Sequence, residues 1–331
     1  YLRRVKRLVV PLVRPRNPVG HTARVLDFNR EVARQPPTLA FADGPGDRVA
    51  AFFHTGGTTG LPKLARHRYR GLIYNGWVAH RLLFTERDTM ICPLPMFHVF
   101  AAVVCLGASL ASGAHVVLPT PAGYRGEGVF DNFWRLVERW RVTFVIAVPT
   151  AMSALMQRPV DADISSLKLA FVGSSPLPAE LYRRFEAAAG VTICEGYGLT
   201  EATCLVAINP PDGEKKIGSV GLPFPYTQVR VIDPATQMAC ERDVVGEICV
   251  SSPGVWGGHT YTEEAKNREV FYPGPDGQPL WLRTGDLGRL DADGYVWVTG
   301  RAKDVIIRGG HNIDPAQIEE ALASHPAVAL A

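Results

Sequence analysis

Residues 51–63 read AFFHTGGTTGLPK. An apolar run, Ala51-Phe52-Phe53, opens into Thr55, Gly56, Gly57, Thr58, Thr59 and Gly60, and Pro62 and Lys63 close the stretch. Without a Cβ, the glycines let the backbone turn tightly and come close to a bulky anion. The threonine hydroxyls and successive N–H groups supply donors in the manner of an anion-binding nest, and Lys63 adds a charge that phosphate favours. Read alone, the stretch is equally a flexible Gly/Thr surface loop. Two familiar phosphate loops are excluded. The Walker loop ends in Gly-Lys-Ser/Thr, whereas Lys63 stands between Pro62 and Leu64, and no GxGxxG fingerprint is present.

The chain has 331 residues, enough for roughly two domains of ordinary size. A hydrophobic fraction of 47% with 20% charged residues describes a globular protein with a substantial core. The net charge of +3 is too small to argue for a nucleic-acid partner, and no apolar run reaches the length of a membrane helix. Nine Lys/Arg against two acids among the first 34 residues form a solvated basic face, with peripheral contact to a membrane surface as the lesser reading. The six cysteines, Cys92, Cys105, Cys194, Cys204, Cys240 and Cys249, include no CxxC pair. They are expected to be buried free thiols of a reducing compartment, which places the protein in the cytoplasm. The sequence assigns no oligomeric state.

Working outward from the Gly/Thr stretch, an amphipathic helix is predicted at Tyr69–Phe84, directly after it. Strands are predicted at His115–Leu118, Val142–Val148, Leu167–Val172 and Val191–Glu195, and helices at Val129–Trp140, Ala151–Gln157 and Ala179–Ala189. This alternation argues for an α/β layer with a mostly parallel sheet, whose ligands bind at the carboxyl ends of the strands. From about Ile217, short runs at Gln228–Asp233, Glu247–Val250 and Tyr295–Val298, punctuated by Gly, Pro and Asp, predict a β-rich subdomain. Val305–Arg308 and a helix at Pro315–Ala323 close the chain. Asp291-Ala292-Asp293-Gly294 lacks the spaced acids of a calcium loop and reads as a turn between strands.

Four further segments carry chemistry. Gly173-Ser174-Ser175-Pro176-Leu177 has the composition of a strand-to-helix turn or cap. In Glu195-Gly196-Tyr197-Gly198-Leu199-Thr200-Glu201 the glycines are expected to turn the chain around Tyr197 and free its aromatic face. Thr200 and Glu201 then offer a hydroxyl and a carboxylate suited to a phosphate with its Mg²⁺. Arg283-Thr284-Gly285-Asp286-Leu287 reads as a turn whose Asp either accepts backbone N–H groups or binds vicinal ribose hydroxyls. The last is Gly300-Arg301-Ala302-Lys303-Asp304 with Ile306-Ile307-Arg308-Gly309-Gly310.

Together and in this order, HTGGTTGLPK, GSSPL, EGYGLTE, RTGDL and GRAKDVIIRGG resemble the adenylate-forming superfamily of acyl-CoA synthetases, firefly luciferase and peptide-synthetase adenylation domains. The wording of PLPMFH and GGHNIDPAQIEEAL is most similar to bacterial fatty-acyl-CoA synthetases. The resemblance implies ATP-dependent activation of a carboxylic acid, of fatty type, to an acyl adenylate, followed by transfer to coenzyme A. It implies that Thr55, Gly56, Gly57, Thr58, Thr59, Gly60 and Lys63 hold phosphates. Gly173, Ser174, Ser175, Glu195, Gly196 and Gly198 line the adenine, with Tyr197 stacked on it. Thr200 meets the α phosphate, Glu201 holds Mg²⁺, and Asp286 and Arg301 bind the ribose side. His98, in Pro95-Met96-Phe97-His98, stands beside the carboxylate and thiol passage. Lys303 is the hinge, and Gly309 and Gly310 line the thiol channel.

The resemblance also divides the chain. Residues 1–50 form a partial N-terminal segment and 51–216 an α/β nucleotide- and acyl-binding subdomain. The β-rich subdomain covers 217–300, and 301–331 hold the hinge and the start of a truncated C-terminal lid. The family's adenylation lysine falls beyond Ala331, so the chain is expected to be the middle of a longer enzyme and inactive on its own. Two alternatives stay open: a fatty-acyl-AMP ligase serving a carrier protein, and a non-catalytic nucleotide-binding fragment.

Overall fold

The computed structural model describes residues 28–38, 44, 46–55, 63–273, 280–304, 306–308, 311–313, 318, 321–322 and 328. The chain divides into two compact units, Tyr1–Gly46 and Asp47–Ala331. In the first, a short helix at Phe28–Val32 is followed by the ion pair of Arg34 with Glu31 at 2.8 Å. Everything below concerns the second.

It opens with an antiparallel hairpin of β1 (Val49–Thr55) and β2 (Lys63–Arg68), with Thr55 directly opposite Lys63. A strand therefore intervenes between the Gly/Thr stretch and the helix predicted to follow it at once. Its signal is the alternation of inward Ala65 and His67 with outward-leaning Leu64, Arg66 and Arg68, and a histidine on the inner face hides it. Helix α1 follows at Tyr69–Leu82 and packs on a π-helix, Phe100–Gly107, that continues into α2 (Ala108–Ser112). The crossing is close. A Cβ at Gly76 would lie 3.0 Å from the Gly107 carbonyl oxygen. The run FAAVVCLG contains no polar residue, so it carries no period from which a helix could be read.

The central sheet has seven strands in the order β4-β3-β5-β6-β7-β8-β9. Strands β3 (Thr89–Ile91), β4 (His115–Val117), β5 (Phe144–Ala147), β6 (Leu169–Val172) and β7 (Thr192–Leu199) run parallel; the last four fall on predicted strands, and β3 is one the sequence reading did not place. Helices α3 (Phe133–Trp140), α4 (Pro149–Met156) and α5 (Ala179–Ala189) connect them. β5 is buried along its whole length, as expected of a strand covered on both faces. Phe84, Phe144 and Phe171 meet within the core, their ring centroids 4.9–5.5 Å apart.

Two predicted loops are strands. β7 continues through Leu199, so most of the segment expected as a turn around Tyr197 is extended and pairs antiparallel with β8 (Cys204–Ile208). Only Thr200–Ala202 turns, as a single 3₁₀ turn. Gly198 is there for clearance: a Cβ would sit 1.8 Å from the Cys204 carbonyl oxygen. Likewise Arg283–Leu287 lies inside β13 (Trp281–Leu290), with Gly285 at φ +75° where the β11–β13 register slips.

That strand belongs to an antiparallel sheet, β10-β11-β13-β12 with β14 also on β13. It comprises β10 (Gln228–Ile232), β11 (Gly246–Ser251), β12 (Phe271–Tyr272), β13 and β14 (Val296–Arg301), the predicted β-rich region. A short β9 (Leu222–Pro223) ends the central sheet, and a short helix, α6 (Glu264–Glu269), precedes β12. Asp291–Gly294 is the β13–β14 turn, and Lys216 reaches Asp291 and Asp293 there at 2.8 and 2.6 Å. A last hairpin pairs β15 (Ile306–Arg308) with β16 (His311–Ile313). The predicted helix at 315–323 falls largely outside the described residues. So do Gly56, Gly57, Thr58, Thr59, Gly60, Gly309 and Gly310. All six cysteines are free, and five are buried. No helix among the described residues is long and apolar enough to cross a membrane.

Candidate nucleotide site

The hairpin puts Thr55 and Lys63 side by side at the mouth of the Gly/Thr stretch. Their partner across the site is Tyr261, which none of the motif segments contains. Its hydroxyl donates to Glu201 Oε1 at 2.5 Å, and Lys63 Nζ lies 5.0 Å from its ring centroid. Burial, then the neighbouring Glu201 carboxylate, pushes the Tyr261 pKa up, with a hydrogen bond from the Thr55 side chain acting against them. Tyr261 is therefore a protonated donor. Backbone bonds fix this edge: Arg66 N–H donates to Thr260 O at 2.7 Å, and Thr262 N–H to Leu64 O at 3.0 Å.

Thr200 and Glu201 occupy the 3₁₀ turn at the end of β7. Thr203, just beyond, takes a left-handed conformation (φ 60°). Its hydroxyl donates to Gly254 O at 2.6 Å and lies 3.1 Å from His67 Nδ1, so His67 donates there and is the Nδ1–H tautomer. Burial lowers His67 to about 4, which keeps it neutral.

The second cluster joins the two sheets. Tyr197 on β7 donates to Asp286 Oδ2 at 2.5 Å, and Arg301 Nε donates to Asp286 Oδ1 at 3.0 Å from the directly opposed position on β14. Burial raises Asp286, while Tyr197 and then Arg301 pull it back. Burial, reinforced by the Asp286 charge, raises Tyr197 far above the phenol range. Asp286 N–H donates to Thr284 Oγ1 at 3.0 Å, and the Thr284 hydroxyl donates to Ile248 O at 2.7 Å.

Gly173, Ser174 and Ser175 follow β6 and abut Gly196: a Cβ on Gly173 would lie 2.9 Å from its carbonyl oxygen. Ser174 holds φ 76°, a left-handed conformation unusual for serine. Glu195 is buried, Leu177 N–H donates to its Oε1 at 3.1 Å, and burial raises it to about 8. His98 is exposed, next to the same hairpin. Phe100 N–H donates to its Nδ1 at 3.2 Å, His54 stacks on Phe97, and desolvation, ahead of the nearby His54, lowers its pKa. Lys303 is exposed in the turn after β14, where Asp304 N–H donates to Arg301 O at 3.0 Å.

The structure thus gathers Thr55, Lys63 and Glu201 into one cluster and Tyr197, Asp286 and Arg301 into another, with Gly173–Ser175 against Gly196. Sequence reasoning missed Tyr261, and it gave no role to Thr284 within Arg283–Leu287 or to Glu247, which accepts from Gly285 N–H at 3.2 Å. Tyr261 carries no local signal, because its partners come from the β2 edge. Among the described residues, no group of three or more His, Cys, Asp and Glu side chains could hold a metal. Glu201 beside Thr200 nevertheless fits Mg²⁺, which typically takes one or two carboxylates and completes its shell with substrate phosphate and water.

A mostly parallel sheet bonded to an antiparallel one through such polar clusters, with the β1–β2 hairpin bridged to Tyr261, defines a mixed α/β protein. A family model described as "AMP-binding enzyme" matches residues 13–259, and the chain belongs to that family. It is 42% identical over 322 residues to a marinolic acid–CoA ligase of Pseudoalteromonas sp., covering 92% of this chain and 48% of the relative. It is 37% identical to a sulfoacetate–CoA ligase of Cupriavidus necator, covering 85% and 53%. The crystal structure of ATP-bound MatB from Rhodopseudomonas palustris superposes with a TM-score of 0.80 at 32% identity, covering 90% of this chain and 57% of that one. The chain spans about half the length of the curated relatives it matches.

Proposed function

We propose that the protein activates a carboxylic acid with ATP. The acid's carboxylate displaces pyrophosphate from the α phosphate to give an acyl adenylate, and the thiol of coenzyme A then displaces AMP to give the thioester. The observation that carries this reading is the meeting of Thr55, Lys63 and Glu201 on Tyr261, which joins the closing ends of the Gly/Thr stretch to the Thr200-Glu201 pair. The relatives' names as CoA ligases support the same chemistry.

In this reading Thr55 and Lys63, with Gly56, Gly57, Thr58, Thr59 and Gly60, hold the β and γ phosphates. Gly173, Ser174, Ser175, Glu195, Gly196, Tyr197 and Gly198 surround the adenine, and Asp286 with Arg301 takes the ribose. Attack of a carboxylate on phosphate brings like charges together, so donors already in place at the developing charge lower the barrier most. Lys63 and the Thr200 hydroxyl supply them. Glu201 repels phosphate and is held beside it only by a cation. Bound there, Mg²⁺ would neutralise the phosphate charge as a Lewis acid. His98, its Nδ1 occupied by Phe100 N–H and its proton therefore on Nε2, stands beside the passage for acid and thiol. Lys303 is the hinge, Gly309 and Gly310 line the thiol channel, and the division at residues 50, 216 and 300 belongs to the same proposal. The acid is of the fatty type, and the buried free thiols suit a cytoplasmic enzyme.

Pyrophosphate release by the full-length protein over a panel of fatty, dicarboxylic, sulfonated and aromatic acids, with and without coenzyme A, tests the reading. Acid-dependent release and thioester formation are expected. Release with no thioester would assign the acyl group to a carrier protein, and no acid-dependent release would remove the ligase function.

A further inference from the structure

Tyr261 is held more firmly than a ring at the edge of a site needs to be. Its N–H donates to Asn267 Oδ1 at 2.7 Å and its carbonyl accepts from Asn267 Nδ2 at 3.0 Å, so one buried amide clamps its backbone on both sides. Ala65 on β2 bridges to the same residue. Tyr261 itself is 5% exposed, so its ring has no room to swing into solvent. The two polar ends of the candidate site both rest on it: the Glu201 carboxylate on its hydroxyl, and the Lys63 ammonium over its face. Glu201 Oε2 has no protein hydrogen-bond partner among the described residues.

We propose that Tyr261 is a positioning residue of the Mg·ATP site, its hydroxyl holding Glu201 Oε1 so that Oε2 stays free for the cation, and its ring holding Lys63 for the phosphates. This rests on the reading of Glu201 as the cation's carboxylate. A carboxylate pinned by one neutral donor keeps its negative charge and loses its rotational freedom. A hydrogen-bonding partner behind a metal ligand typically contributes 10–100-fold in metal affinity or activity. The ammonium is attracted to the ring face, which carries the negative end of the aromatic quadrupole. A lysine parked there is already ordered when phosphate arrives, so less side-chain entropy is lost on binding.

The test is calorimetric titration of the full-length protein with ATP, with Mg²⁺ present and with Mg²⁺ removed by a chelator. The readout is the ratio of the two affinities, together with the melting temperature. In wild type the ratio measures what the cation contributes. Tyr261→Phe, which deletes one oxygen and leaves the ring under Lys63, is expected to shrink that ratio about ten-fold. Tyr261→Leu is expected to shrink it as far and also to weaken ATP binding in the chelator, because Lys63 loses its platform. A role confined to folding would lower the melting temperature of both variants and leave the ratio at the wild-type value, and that result would overturn the inference. Glu201→Gln is the control for the underlying reading. If it keeps the wild-type ratio, Glu201 does not hold the cation, and that reading falls with the inference. If it loses the ratio while Tyr261→Phe keeps it, only the inference falls. A wild-type full-length protein with no ATP affinity in either condition overturns both.

Discussion

The Tyr197 hydroxyl donates to the Asp286 carboxylate at 2.5 Å, a bond from the central sheet to the antiparallel one that lies beside the apolar cluster the two sheets share. Tyr197 sits on the bulged end of β7 and Asp286 in the irregular stretch of β13, so the bond holds two strands at points where their ladders are weakest. Arg301 occupies the other carboxylate oxygen from the opposite strand but is largely exposed, so it contributes less than the phenol.

This geometry makes ribose recognition testable through the ligand as well as the protein. Wild type is expected to bind ATP more tightly than 2′,3′-dideoxy-ATP, because hydroxyls bonded to a carboxylate are worth roughly 1.5–3 kcal/mol each. Asp286→Asn is expected to bind ATP weakly and to lose the difference between the two nucleotides. Competitive displacement of a fluorescent ATP analogue measures both. An Asp286→Asn chain that still prefers the ribose form would move ribose recognition elsewhere.

The same irregular stretch of β13 depends on a carboxylate that meets no nucleotide in this reading. Glu247 is buried, and it accepts from Gly285 N–H at 3.2 Å, Arg283 Nε at 3.0 Å and the Tyr272 hydroxyl at 3.1 Å. Glu247→Ala leaves the Gly285 and Tyr272 donors unpaired and is expected to cost roughly 2–3 kcal/mol in denaturant unfolding. Arg283 adds little, being half-exposed and able to turn to water. Glu247→Gln keeps an acceptor for Gly285 and is expected to lose less. Equal losses in the two variants would mean that the charge, not the bond to Gly285, holds this stretch of β13.

The sequence was a good guide where residues act locally and a poor one where distant strands decide. Parallel strands such as Phe144–Ala147 and the helix Ala179–Ala189 were legible from apolar runs and periodicity. Glycine misled the reading at two places. Gly198 and Gly285 suggested turns, since glycine is uncommon inside strands. In the structure Gly198 makes room for the Cys204 carbonyl, and Gly285 supplies the positive φ of an irregular ladder. β2 was hidden because the inner face carries His67, whose burial is made tolerable by Thr203, far along the chain. Tyr261 was invisible for the same reason. Its meaning arises from the Ala65 bridge, not from its sequence neighbours.

The two glycines of Glu195–Glu201 separate sharply. A Cβ at Gly198 would meet the Cys204 carbonyl at 1.8 Å, whereas one at Gly196 would lie 3.4 Å from its nearest neighbour, the Ala207 oxygen. Gly198→Ala must push two paired strands apart and is expected to cost about 3 kcal/mol, the upper end of overpacking penalties. Gly196→Ala is expected to stay within about 1 kcal/mol of wild type, since reduced freedom of the unfolded chain offsets any local crowding. Chemical denaturation of both variants checks the pair. Similar losses would mean that the motif needs glycine for flexibility and not for clearance.

Glu195 sets a pH dependence whose sign follows from burial. Its pKa rises from 4.5 to about 8 because burial disfavours the charged form, against the Leu177 N–H bond that favours it. Between those values the folded chain keeps a proton that the unfolded chain gives up. Stability is therefore fully present below about pH 4.5, falls as the pH rises, and levels off above about pH 8. Glu195→Gln removes the titration while its amide oxygen still accepts from Leu177 N–H. The variant is expected to melt higher than wild type at pH 8, by on the order of 3 kcal/mol in stability, with the gap closing toward pH 5. His67 titrates near 4 in both proteins, and its opposite contribution cancels in the difference. A gap of the same size at both pH values would show that Glu195 is ionised in the folded chain.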